Sequence, residues 1–179
     1  MKSPHTTQSG STLIEVLVAI LILSFGMLAL GGMLAYAVQM PKLSGYRSTA
    51  VAIASGHVEK MRANYEGYRN TGYVEDPMTF RGAALVAPPA CAYPNCTADA
   101  IAKQDRYDTN LMLSKQLPEG GMYLTCTGAC GASPEGELWV MWTEPTTYAT
   151  LSSASSDECP PGKAFIAPAP RCLHMKFKL

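Results

Sequence analysis

One carboxylate stands at the head of an uncharged run. Glu15 is followed by Val16 to Val38, in which no Asp, Glu, Lys or Arg occurs. A carboxylate entering an apolar medium is costly unless an opposite charge meets it. The chemistry expected of Glu15 is therefore charge pairing. Six cysteines, Cys91, Cys96, Cys126, Cys130, Cys159 and Cys172, supply a second chemistry, and none lies in the apolar run. Their placement suits disulfides in an oxidising compartment. Zinc is the rival, but the Cys91/Cys96 and Cys126/Cys130 spacings do not match the usual close ligand pairs. His57 has no evident acid or nucleophile beside it and is expected to be structural or solvent-facing. Asp105 and Asp108 lack a calcium-loop spacing and are expected on a solvated face. No serine elbow, phosphate loop or zinc-protease motif is visible, and Ser24 lies inside the apolar run. The expectation is a protein that is not an enzyme, with no cofactor and no metal.

The element that positions Glu15 must be a helix. Val16 to Val38 is about 23 residues, or roughly 34 Å of helix, enough for a hydrocarbon core of about 30 Å. A secretory signal would have an apolar core of only about 7–15 residues. Lys2 and His5 are the basic candidates before the run, which favours a cytoplasmic N-terminus. Ser24, Gly26, Ala29, Gly31, Gly32 and Ala35 leave small surfaces on which apolar helices can approach closely. Over the whole chain Lys+Arg is 14 and Asp+Glu is 14, so the formal net charge is zero. No basic excess points to nucleic acid.

Gly10-Ser11-Thr12-Leu13-Ile14-Glu15-Val16-Leu17-Val18-Ala19 closely resembles the class III leader junction of type IV prepilins and type II secretion pseudopilins. The family usually has Phe where this chain has Ser11. The resemblance implies that a membrane prepilin peptidase cuts after Gly10 and methylates the amine of Ser11. Glu15 becomes the fifth mature residue, and its implied partner is the amine of a neighbouring subunit. The resulting division is a leader over 1–10, a transmembrane and filament-core helix half over 11–40, and a globular head over 41–179.

In the head, Pro41 is expected to interrupt or bend the helix. A second apolar pattern follows at Ala50, Ala54, Val58, Met61 and Tyr65, widened by Val51 and Ile53. It predicts an amphipathic half that packs on a sheet, within one long helix from about residue 11 to about 65. Gly67, Gly72, Pro77, Gly82, Pro88, Pro89 and Pro94 predict an irregular region over 67–100. Asp99 to Leu117 is expected to hold a short helix with Ile101, Leu111, Leu113 and Leu117 on its apolar side. Three strands come last: Met122–Cys126, Glu137–Thr143 and Cys172–Lys178. In the final one Leu173, Met175 and Phe177 alternate with His174, Lys176 and Lys178, so one face is expected inward and the other wet. The fold class is α+β and pilin-like, a long N-terminal helix packed against a small antiparallel sheet.

The blocks QLPEGGMYLTC…GELWVMWTEP over 116–145 and RCLHMKFKL over 171–179 resemble the PilV-type minor pilins, or type IV pilus modification proteins. That resemblance implies a minor pilin that primes pilus assembly and supports twitching motility, adhesion or surface sensing. The implied partners are other minor pilins, the major pilin, prepilin peptidase, the inner-membrane assembly platform, a large tip adhesin and the membrane, with no nucleic acid. The implied location is the inner membrane with a periplasmic head, then the pilus tip. An I-type minor pseudopilin of type II secretion is the nearest alternative, and a membrane-anchored exported enzyme is the alternative from another class. Six thiols leave the pairing open; locality suggests Cys91–Cys96, Cys126–Cys130 and Cys159–Cys172.

Overall fold

The computed structural model describes residues 12–74, 84–92, 94–144, 157–161 and 169–179. The chain divides into two compact units, Met1–Lys42 and Leu43–Leu179. Helix α1, Leu13–Ala63, runs without a break and contains Pro41. The single long helix expected from about residue 11 to about 65 is thus present over Leu13–Ala63, and Pro41, which removes one donor from the ladder, does not end it.

In the second unit α1 is amphipathic. Ala50, Ile53, Ala54, His57, Val58 and Met61 are buried, at the three- and four-residue steps of one helix face. Two residues expected on that face are not there. Val51 is exposed, because one step along a helix turns the side chain by about 100°. Tyr65 lies past the end of α1, in the short helix α2, Tyr65–Arg69, where it is exposed and stacks on Tyr68. Asn64 starts α2 by accepting a hydrogen bond from Gly67 N at 3.3 Å and ties it to the next helix by donating to Ala98 O at 2.7 Å. A Cβ on Gly67 would meet that same Ala98 oxygen at 2.7 Å and the Asn64 amide, so only glycine permits this approach.

The region expected to be irregular is therefore partly ordered into the core. Tyr68 and Tyr73 are fully buried. Between 84 and 97 the described residues form no helix or strand. Helix α3, Ala98–Gln116, is a 19-residue element rather than a short one. Thr97 caps it, its hydroxyl accepting from Ala100 N at 3.2 Å. Its buried positions are Ala102, Thr109, Asn110 and Leu113, followed by Leu117. Ile101 faces outward instead, as the turn at Gly72 comes so close that a Cβ there would sit 2.9 Å from the Ala102 Cβ. Only a small side chain fits that contact.

Strands β1 (Gly121–Cys126), β2 (Glu135–Trp142) and β3 (Arg171–Lys178) form one antiparallel sheet in the order β1-β2-β3. The register aligns Leu124, Leu138 and Met175 in one row, and Met122, Val140 and Leu173 in another. These rows, with Trp142 and Phe177, pack with the buried face of α1, Tyr68, Tyr73, Leu113 and Leu117 in a single core. The opposite face carries the row Tyr123, Trp139 and His174. It is not simply wet, as expected: Cys172, Trp139 and Met141 are buried there, and only Lys176 and Lys178 of β3 are exposed.

Candidate functional site

The first candidate is the start of α1. Glu15 lies in its first turn, where Glu15 N and Val16 N donate to Thr12 O at 3.0 and 3.3 Å. A carboxylate there is favoured by the positive end of the helix dipole. Every described side chain from Thr12 to Val38 is exposed, including Leu13 at 84% and Leu28 at 72%. Residues 13–38 extend roughly 39 Å as helix, long enough for a hydrocarbon core. Ser24 turns its hydroxyl back onto Ile20 O at 2.8 Å, so that hydroxyl is satisfied within the helix. A Cβ added at Gly26, Gly31 or Gly32 would meet nothing within 4 Å, leaving those small surfaces open. Gly10 and Ser11, the expected cleavage and methylation positions, lie outside the described residues.

The second candidate, His57, is interior. Its Nδ1 lies 2.9 Å from Thr109 Oγ1, and that hydroxyl donates its own hydrogen to Asp105 O at 2.7 Å. Thr109 is therefore the acceptor, and the proton sits on Nδ1. Burial, then Lys60 and Arg106, lowers the His57 pKa to about 3. The ring is neutral and wedged edge-on against Tyr73, at 5.6 Å between centroids. Tyr73 donates to Asp105, and burial followed by that hydrogen bond raises its own pKa. Asp105 also lies 3.8 Å from Lys60 Nζ. The solvated face expected for Asp105 is corrected, since the aspartate joins α1, α3 and the turn after α2. Asp108 keeps to its own helix, accepting from Gln104 at 2.9 Å. The arrangement fixes α1 and α3 together.

Sequence reasoning missed a third cluster. Arg171, on the first residue of β3, is buried with its Nε 3.2 Å from Asp157 Oδ2 and 3.4 Å from Glu144 Oε1. Asp157 also takes Arg47 at 2.8 Å and accepts from Cys172 N at 3.1 Å. The cluster joins α1, the end of β2, the 157–159 segment and β3. Its members are far apart in the chain, and no local pattern marks them.

The cysteines form Cys91–Cys96, Cys126–Cys130 and Cys159–Cys172, with Cα separations of 5.3, 5.1 and 5.2 Å and no free thiol. These are ordinary distances for a disulfide. Cys126–Cys130 closes the connection between β1 and β2, and Cys159–Cys172 fastens the 157–159 segment to β3. Among the described residues no group of three or more metal-ligating side chains occurs.

Over residues 5–31 the chain matches the family model described as the prokaryotic N-terminal methylation motif. That match spans Glu15 and the first turns of α1, and gives the chain an N-terminus of the pilin type. No curated protein and no solved structure matches the chain.

Proposed function

We propose that this protein is a non-enzymatic minor pilin, cut after Gly10 by prepilin peptidase, methylated at Ser11, and inserted with other pilins into a type IV pilus. The domain division is then a leader over 1–10, a membrane and filament-core half over 11–40, and a head over 41–179. The observation that carries this reading is Glu15, in the first turn of a helix whose following apolar side chains have no cover of their own. The methylation motif over 5–31 supports it, because cleavage after Gly10 would create a cationic amine near that carboxylate. Before insertion, lipid covers the apolar half; afterwards, neighbouring helices do, with the glycine surfaces allowing close approach. Pairing of Glu15 with the amine of a neighbour sets the axial register, because the unpaired charge is disfavoured. The head docks on other pilin heads at the inner-membrane assembly platform and supports motility or adhesion from the pilus tip.

The mature N-terminus tests the processing step. Mass spectrometry should find N-methylated Ser11; Met1, or cleavage near Ala37, would reject the reading. Glu15→Ala should remain processed and membrane-inserted while its recovery with partner pilins falls at least about tenfold, the effect of ~1.4 kcal/mol. Normal co-purification of that variant would sink the pairing role. The identity of the co-purified proteins separates a pilus from a type II secretion pseudopilus.

A further inference from the structure

Strand β3 is an edge of the sheet. It pairs with β2 on one side and, among the described residues, with no strand on the other. Along an antiparallel strand, alternate residues turn both N–H and C=O to the same side. Leu179 N donates to Pro134 O at 3.0 Å, just past the end of the β2 ladder, so the odd-numbered residues of β3 face β2. The even-numbered ones face outward. Cys172 N donates to Asp157 Oδ2 at 3.1 Å, and Lys178 O accepts from Arg62 at 3.4 Å. Between these two closures, the N–H and C=O of His174 and Lys176 have no hydrogen-bond partner among the described residues.

The space beside that edge is a groove of about 420 Å³. Its walls are α1, at Val58, Glu59 and Arg62, and β3 over residues 175–178. Leu138 and Val140 of β2 are 1% exposed, whereas Leu173 and Met175, beside them on the same face, are only half-buried. The sheet thus stops one strand short of covering its own apolar rows. From His174 to Lys178, steps of about 3.3 Å make roughly 13 Å of edge.

The charges decide what fits there. Lys176 and Lys178 lie on the outer face, 74% and 71% exposed, with Glu137 at 3.5 Å from the first and Glu135 at 3.1 Å from the second. Exposed pairs of this kind are worth at most about 1 kcal/mol, and each ammonium keeps donors to spare. Arg62 adds a third cation at the groove, beside its ion-pair partner Glu59. A second copy of β3 is a poor occupant, because pairing through His174 and Lys176 would set lysine opposite lysine or histidine. An acidic strand meets the opposite charge at the same positions.

We infer that the open edge of β3 is a strand-acceptor site for an acidic, extended segment of a partner protein. The segment continues the antiparallel sheet and exchanges backbone hydrogen bonds with His174 and Lys176. Its side chains alternate between the two faces. Those opposite Met175 and Phe177 are apolar and enter the groove against Val58. Those opposite Lys176 and Lys178 are carboxylates on the outer face. Backbone pairing supplies the affinity, and the two rows of side chains supply the specificity. The site lies in the head and requires neither Glu15 nor processing after Gly10.

The test uses the full-length protein in detergent and an end-blocked peptide of alternating valine and glutamate. The peptide should slow amide hydrogen exchange at His174 and Lys176 several-fold, and an alternating valine–lysine peptide should not. Methylating the backbone nitrogens of the peptide's glutamates removes the donors that face β3 and keeps every charge; that change should abolish the protection. Combining Lys176→Glu with Lys178→Glu should reverse the preference. Affinity for the valine–glutamate peptide should fall at least about tenfold, and the valine–lysine peptide should now bind. Unchanged exchange at His174 and Lys176, equal binding of the two peptides, full binding of the methylated peptide, or an unreversed preference in the double variant would each overturn the inference. Protection that grows with protein concentration alone would overturn it too, by assigning the edge to a second copy. The mature N-terminus is read separately, so failure here is distinct from failure of the processing step.

Discussion

The two ends of α1 are built on opposite principles. From Leu13 to Val38 the helix is apolar all round, and its described side chains are exposed. From Ala50 to Met61 it is apolar along one stripe, and that stripe is buried under the protein's own sheet and helices. A helix apolar on every side needs a surrounding medium, whereas one with a stripe needs a single partner surface. The second half finds that surface within the chain. The first must find it elsewhere, in lipid or in other helices. The head can thus hold itself together independently of whatever covers the apolar half, and changes in one half should be silent in the other.

The strongest test of that separation lies in the buried charge cluster. Arg171→Met would leave Asp157 and Glu144 buried without their shared cation, and should lower the stability of the head by about 3–5 kcal/mol. Denaturant unfolding in detergent measures this, and membrane insertion should not change. The next test sets two truncations side by side. Met61→Ala removes a fully buried side chain and should destabilise the head by about 2–5 kcal/mol. Leu28→Ala removes an exposed one and should shift unfolding of the head by less than about 0.5 kcal/mol. Equal effects from the two would break the comparison.

The last test concerns pH. His57 has a pKa of about 3 in the folded protein, against an ordinary value of 6.5. Above pH 6.5 both folded and unfolded forms are neutral at this site, and its contribution to stability is complete. As pH falls from 6.5 toward 3, the unfolded chain takes up a proton that the folded chain refuses. Stability should then decline by up to ~1.4 kcal/mol per pH unit from this residue. His57→Gln should flatten that part of the profile, measured by urea unfolding between pH 7 and pH 4.

The elements with a single dominant period were legible in the sequence. The uncharged run gave away α1, and the β-rich composition around Trp139 and the alternation around Phe177 marked β2 and β3 to within two residues. Helices α2 and α3 were harder. Their caps, Asn64 and Thr97, sit among glycines and prolines that argue for turns. Helix α3 also buries Ala102, Thr109 and Asn110, which hydropathy alone does not mark as interior. The Asp99–Lys103 pair, 2.6 Å apart at the four-residue helical step, was the signal that would have revealed its first turns. The interior role of Asp105 and the cluster around Arg171 were beyond reach, because their partners lie on other elements. The N-terminal methylation motif over residues 5–31 was legible because its information is local.

The three disulfides share a property that concerns time rather than geometry. Each cysteine is joined to the next one along the chain, with sequence separations of 5, 4 and 13. A chain threaded through a membrane in N-to-C order into an oxidising space presents its thiols in pairs that already match. Whichever oxidant acts on the two most recently emerged cysteines makes the final bond each time. No crossed pair has to be undone, so a head exported in this way would call for an oxidase and not for an isomerase.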